Sequence, residues 1–300
     1  MTLVAGTSIG KPRIFIDYVS YLRSQGAITG YTGSPDLWDM NPAKVTSVES
    51  TSVVNFESDA DLLALIGTAN YFAVLGHDGI GDSFILNTIN GDAYAPIGAA
   101  YDMPGYKIDT FSTDLGVSNY SVAHIPGFNV GSFSVGRYFD FNNAVDLDVS
   151  YSLSHDGIKT KRTIGGRDIT NINYHSQPLW GDRKPWTSGE TYKYTGANGR
   201  RSWKVSFSYI DHDNALPQNM NEDFMLNNDI SNPGNGIAHG TENIVSHFLS
   251  LTLNGSLKFI FQPDVTLDQF ALCRLSKPQT TFKQVAHKTY NVSFTFVETY

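Results

Sequence analysis

Residues 201–210 read RSWKVSFSYI. The large apolar side chains Trp203, Val205, Phe207 and Tyr209 fall on every second residue, and Ser202, Lys204, Ser206 and Ser208 take the places between. A period of two sends the first set to one face of a strand and the second to the other. The stretch therefore predicts a half-buried antiparallel strand with a polar outer face. The same alternation recurs outward from it. DLDVSYSLSHDG (146–157) places Leu147, Val149, Tyr151 and Leu153 on one face. IKTKRTIGGRDITNINY (158–174) reads as a hairpin whose Gly165-Gly166 pair supplies the positive φ of a tight two-residue turn. At the C-terminus, TYNVSFTFVETY (289–300) alternates Tyr290, Val292, Phe294 and Phe296, and Trp203, Phe207, Phe294 and Phe296 are expected in one core.

Toward the N-terminus, RIFIDYV (13–19), SVVNF (52–56), NYFAVLGHD (70–78), SFILNTI (83–89), YSVAHI (120–125) and GSFSVGRYFDF (131–141) read as strands. The stretch 90–118 is rich in Gly, Pro, Asp and Tyr and reads as a long loop with one strand at most. One helix is expected, in GTENIVSHFLSLTLNG (240–255). There Thr241 offers an N-cap, Ile244, His247, Phe248 and Leu251 recur at helical spacing, and Gly255 stops the run. The sum is a mostly-β chain of antiparallel β-sandwich or jelly-roll modules with one short helix near 241–253. The expected division is 1–130 and 131–300.

Composition narrows the function. The chain has 300 residues, 41% of them hydrophobic, which is enough for a sizeable core. Only 17% are charged, against about 25% in an average domain, and the net charge is −8. The basic runs, Lys159–Arg162 and Arg200–Lys204, are short and lie in strand-like stretches, so they read as solvated faces. An acidic chain of this kind is not expected to bind nucleic acid. No signal peptide is expected at MTLVAGTSIG (1–10), and no apolar run approaches the ~20 residues of a membrane span, so no membrane partner is expected. The single cysteine, Cys273, excludes an internal disulfide and reads as a buried thiol in a strand.

Chemistry-bearing residues are sparse. FIFQPDVTLDQFALCRL (259–275) sets Asp264 and Asp268 between two strands. A carboxylate pair could serve glycoside hydrolysis, but Asp and Pro263 are also ordinary turn residues, and the turn reading is preferred. His77-Asp78 closes a strand with no nucleophile context, so it reads as a rim histidine bonded to a loop. Eight histidines are scattered without metal-ligand spacing. DLDVS (146–150) and DGIGD (78–82) lack the full spacing of a calcium loop. No catalytic residue, cofactor or metal is expected. PLWGDRKPWTSGETYKYTG (178–196) gathers Trp180, Trp186, Tyr192 and Tyr194. Such a segment can anchor a protein interface, fold over its own sheet, or stack on sugar rings. The four aromatics are the candidate interface residues.

GRYFDF (136–141), DLDVS (146–150), GIKTKRTIGGRDITN (157–171), GRRSWKVSFSYI (199–210), FIFQPD (259–264), DQFALCRL (268–275) and FKQVAHKTYNVSFTFVE (282–298) together resemble β-sandwich structural proteins of tailed-phage virions, of distal-tail or baseplate type. PRIFIDYVSYL (12–22) and NYFAVLGHD (70–78) resemble galactose-binding-like jelly rolls. The resemblance implies a non-enzymatic virion component of the tail or baseplate, assembled in the host cytoplasm. It would contact other virion proteins and form a homo-oligomer in a symmetric ring. The alternatives are a glycan-binding module of an adhesin or receptor-binding protein and, behind it, a glycoside-acting enzyme using Asp264 or Asp268.

Overall fold

A computed structural model describes residues 10–48, 53–58, 66, 69–79, 85–88, 103–115, 120–123, 128–171, 177–189, 199–216 and 243–300. In the N-terminal half the strands are β1 (Arg13–Asp17), β2 (Ile28–Thr32), β3 (Thr46–Val48), β4 (Val53–Ser58), β5 (Ala69–His77), β6 (Ile85–Thr88), β7 (Gly105–Leu115), β8 (Tyr120–Ala123) and β9 (Phe128–Val130). They continue with β10 (Ser132–Asp140), β11 (Ser150–Ser154), β12 (Lys159–Arg162), β13 (Asp168–Asn171), β14 (Arg200–Asp211), β15 (Phe259–Gln262), β16 (Ala271–Leu275), β17 (Phe282–Ala286) and β18 (Thr289–Glu298). The chain is mostly β, with antiparallel sheets of the sandwich class.

One ten-stranded sheet dominates. Its order is β11-β14-β18-β16-β15-β1-β10-β5-β7, with β17 added beside β18. A four-stranded sheet, β2-β4-β8-β6, and the pairs β3-β9 and β12-β13 complete the set. The boundary expected at 130/131 does not divide the large sheet. β1, from the first part, lies between β10 and β15 from the second, with Arg13 opposite both Asp140 and Gln262.

The sheet has two buried faces. On one, Trp203, Val205 and Phe207 of β14 meet Phe294 and Phe296 of β18, Phe259 and Phe261 of β15 and Phe248, as the alternation predicts. Phe141 and Phe207 stack with ring centroids 4.5 Å apart, and Phe261 and Phe296 at 4.4 Å. On the other face Phe15, Tyr71, Leu75, Ile260, Phe270 and Leu272 form a second cluster with Trp180 and Met40. Strands buried on both faces cannot alternate, and every residue of β5 and β15 is buried.

Several local expectations shift. RIFIDYV is a strand only to Asp17. The Asp17 carboxylate accepts the Ser20 amide at 2.8 Å and so caps a helix, α1 (Tyr18–Ser24), where strand was expected to continue. The same carboxylate accepts the Ser134 hydroxyl at 2.9 Å, which ties the cap to β10. Tyr209 does not join the face of Phe207. The pairing of β14 with β18 slips between Phe207 and Ile210, Tyr209 takes a φ of 58°, and Ile210 turns inward in its place. A bulge inserts one residue and reverses the alternation beyond it. The one strand allowed within 90–118 is found among its described residues, as the eleven-residue β7.

The helix is π-wound, Ile244–Leu249, and Asn243 caps it by accepting the Ser246 amide at 2.8 Å. Thr241, the expected cap, lies outside the described residues. Ile244, His247, Phe248 and Leu251 are buried, as their spacing implies. Gly255, with a φ of 72°, follows the helix, and a Cβ there would sit 2.2 Å from Leu275.

Candidate functional site

Two features stand apart from the packed sheet: an aromatic segment laid over its second face, and an arm that projects from one end.

The aromatic segment is 177–189. The Trp180 amide donates to the Arg183 carbonyl at 2.8 Å and the Arg183 amide donates back at 3.1 Å, which makes a tight loop. Trp180 is buried. Its ring lies 4.9 Å from Trp186, which packs in turn against Tyr106 at 5.3 Å and Phe270 at 5.8 Å. Trp186 follows Pro185 and holds a φ of 60°, a left-handed conformation that costs a non-glycine residue about 1–2 kcal/mol. The two tryptophans thus cover their own sheet, the second of the three uses open to this segment. Tyr192 and Tyr194 lie outside the described residues. Beside the tryptophans is a shallow open cleft, with Asn41, Gln177, Glu298 and Tyr300 on its walls. Glu298 is committed elsewhere. Its carboxylate is buried and accepts the Arg201 amide at 3.0 Å and the Arg201 guanidinium at 2.5 Å. Arg201 and Arg200 are therefore not a solvated basic face, because Arg200 pairs with Asp156 at 2.8 Å.

The arm is the β12–β13 hairpin, reached through β11, the edge strand of the large sheet. β11 is the outer strand beside β14, and all five of its residues are exposed. Tyr151 lies opposite Trp203, at the margin of the core, so Tyr151 and Leu153 remain 55% and 52% exposed. From there the chain turns at Asp156-Gly157 into the β12–β13 hairpin, in which all eight strand residues are exposed. The hairpin turn differs from the expected two-residue form. The Gly166 amide donates to the Thr163 carbonyl at 2.9 Å and the Thr163 amide to the Arg167 carbonyl at 2.8 Å, leaving Ile164, Gly165 and Gly166 as a three-residue loop. Only Gly166 of the pair takes a positive φ, 79°. The root of the arm is fixed by the Arg200–Asp156 pair and by stacking of the Arg200 guanidinium over Tyr300 at 4.4 Å.

Most of the remaining candidates make local hydrogen bonds or are buried. Asp264 accepts the Thr266 amide at 2.9 Å and the Thr266 hydroxyl at 2.7 Å, and these bonds hold its carboxyl below the usual carboxylate range. That is the opposite of what a general acid needs. Asp268 is exposed in the same turn. Asp264→Asn with Asp268→Asn should shift stability by no more than about 1 kcal/mol in urea unfolding, as two surface changes do. Loss of the folded state would give this turn a larger role.

Asp78 accepts the Asn129 amide at 2.7 Å and the Asn129 side chain at 2.6 Å. Asp146 accepts the Ser208 hydroxyl at 2.7 Å. His77 is 1% exposed, and burial lowers its pKa from 6.5 to about 4. Below pH 6.5 the unfolded chain takes up a proton that the folded imidazole refuses, so stability falls with pH until both forms are charged near pH 4. The full loss is about 3 kcal/mol. His77→Gln should flatten that part of the profile. Parallel loss in wild type and variant between pH 6.5 and 4 would exclude His77 as the cause.

Cys273 is fully buried, and burial pushes its thiol well above the ordinary range. Among the described residues no group of three or more His, Cys, Asp or Glu side chains is placed to hold a metal ion, and no helix is long and apolar enough to cross a membrane. Comparison with protein-family models, curated proteins and solved structures finds no match to this chain.

Proposed function

We propose that this chain is a structural component of a tailed-phage virion, of the tail or baseplate. It acts by assembly and not by catalysis, as a homo-oligomer in a symmetric ring that contacts other virion proteins. The observation that carries the assembly reading is the arm, where the chain spends two strands on a hairpin that buries almost nothing of itself. A two-stranded hairpin exposed on both faces is marginal in water and is expected to gain its order from a partner. The virion context is supported by the packing patterns that resemble tail and baseplate sandwiches, and fold-level likeness of that kind is an analogy. Mass spectrometry of gradient-purified particles tests the reading. The chain should co-purify with the particle at fixed stoichiometry through successive gradients, and its confinement to the soluble lysate would overturn it.

Glycan binding is the second reading, and the cleft favours it by bringing Trp186 beside the amides of Asn41 and Gln177. The burial of Trp180 and the engagement of Glu298 by Arg201 leave fewer groups free to meet a sugar than that reading requires. Titration of tryptophan fluorescence with glycan-array hits would establish it, through a saturable change that Trp186→Ala removes.

A further inference from the structure

We infer that the arm docks on the acidic body of a second copy of this chain, in a head-to-tail contact. The inference rests on the assembly reading above and names the partner. Of the twelve large apolar side chains exposed among the described residues, six fall between positions 147 and 169: Leu147, Tyr151, Leu153, Ile158, Ile164 and Ile169. Ile164, at the hairpin tip, is fully exposed. Three of the six, Ile158, Ile164 and Ile169, lie on the hairpin, which thus exposes more apolar surface than the single residues that need no explanation.

The hairpin has two distinct faces. Lys159, Lys161, Ile169 and Asn171 share one, and Thr160, Arg162, Asp168 and Thr170 the other. Thr160 and Thr170 bond across the second face at 3.1 Å. The first face therefore pairs an isoleucine with two lysines, a combination that suits an apolar contact ringed by carboxylates.

Charge selects the partner. Residues 157–171 carry four basic side chains, Lys159, Lys161, Arg162 and Arg167, and one acidic, Asp168, a balance of +3. The rest of the chain carries 17 basic and 28 acidic side chains, a balance of −11. Opposite signs on arm and body make a second copy an electrostatically complementary surface. Two arms meeting each other would instead oppose like charges. A symmetric arm-to-arm contact is thus disfavoured, and the arm must meet a different surface of its neighbour. A contact of that heterologous type closes into a ring where the rotation permits and otherwise propagates.

The test uses the full chain in sedimentation velocity over a concentration series, at low salt and at 1 M salt, where screening shortens to about 3 Å. Wild type should associate at low salt and dissociate as salt rises. Ile158→Ser with Ile164→Ser and Ile169→Ser should weaken association by about a hundredfold or more, since three apolar contacts are lost together. Lys159→Glu with Lys161→Glu and Arg162→Glu should do the same and abolish the salt dependence. All six positions are exposed, so both variants should keep the wild-type circular dichroism and melting temperature, and the charge variant serves if the isoleucine variant misfolds. Association of both variants at wild-type strength would overturn the arm as the contact and leave the assembly reading standing. A wild type that stays monomeric throughout would overturn the second copy as partner. If that monomer were retained by anionic phospholipid vesicles through the same basic residues, the arm would be a membrane contact instead. The assembly reading itself is decided separately, by the particle stoichiometry.

Discussion

Phe207→Ala should destabilise the chain by about 3–5 kcal/mol, the range for removing a buried aromatic ring. The ring is 1% exposed, stacks on Phe141 at a 10° interplanar angle, and meets Phe294 edge-on at 6.2 Å. Phe141 and Phe294 also hold the ring of Phe248 on the π-helix, at 6.2 and 5.7 Å. The vacancy would therefore open where sheet and helix join, and stacked rings on a rigid sheet have little freedom to collapse into it. Tyr209→Ala, two residues along the same strand, should change stability by no more than about 0.5 kcal/mol, because the bulge turns Tyr209 outward. Urea unfolding of the two variants checks the pair. Equal costs would mean that the bulge lies elsewhere and that the register of β14 with β18 differs from the one described. If Phe207→Ala is insoluble, Phe207→Leu gives the same sign at lower cost.

Arg201→Ala is expected to cost a similar amount, about 3–5 kcal/mol, for a different reason. Glu298 is 2% exposed, and its carboxylate is met by the Arg201 backbone amide and guanidinium together. The guanidinium also donates to the Phe270 carbonyl at 3.0 Å, which links β14, β18 and the segment before β16. Removing the arginine leaves a carboxylate buried with its main counter-charge gone, and that penalty exceeds the net value of the intact pair. Replacing both partners, Arg201→Met with Glu298→Met, should recover most of the loss, since it removes both charges from the interior. A single variant as stable as wild type would show that water reaches Glu298. A double variant no better than the single would show that the pair positions the strands in a way that apolar packing cannot replace.

What the sequence disclosed depended on the period of each segment. β14 and β18 lie where one face is buried and the other is not, so Trp203, Phe207, Phe294 and Phe296 could be assigned to a single core from spacing alone. The bulge at Tyr209 could not, because nothing in alternating apolar residues marks where one extra residue enters. Asp17 was hidden for a related reason. RIFIDYVSYL is apolar enough for either strand or helix, and the cap acts through Ser20 and the distant Ser134. The Arg201–Glu298 pair joins positions 97 apart and has no local signal. For the aromatic segment, composition favoured a protein interface, because it carries no sign of the second buried face of the sheet that Trp180 and Trp186 cover. The arm did leave a trace. Lys159, Thr160, Lys161 and Arg162 opposite Asp168, Ile169, Thr170 and Asn171 make a hairpin without an apolar face, which a hairpin packed on its own core would have.

The place of β1 between β10 and β15 has a consequence for synthesis. Residue 13 leaves the ribosome long before its neighbours at 140 and 262 exist. At translation rates of roughly 5–20 residues per second, the first partner arrives roughly 6–25 s later and the second roughly 12–50 s later. Throughout that interval a strand whose Ile14, Phe15 and Ile16 belong in the interior is held on a nascent chain with one or both edges open. Unpaired apolar edges invite pairing with other chains. Yield in a recombinant host should therefore depend on chaperones that bind early in translation, and any version cut before residue 259 should collect in the insoluble fraction.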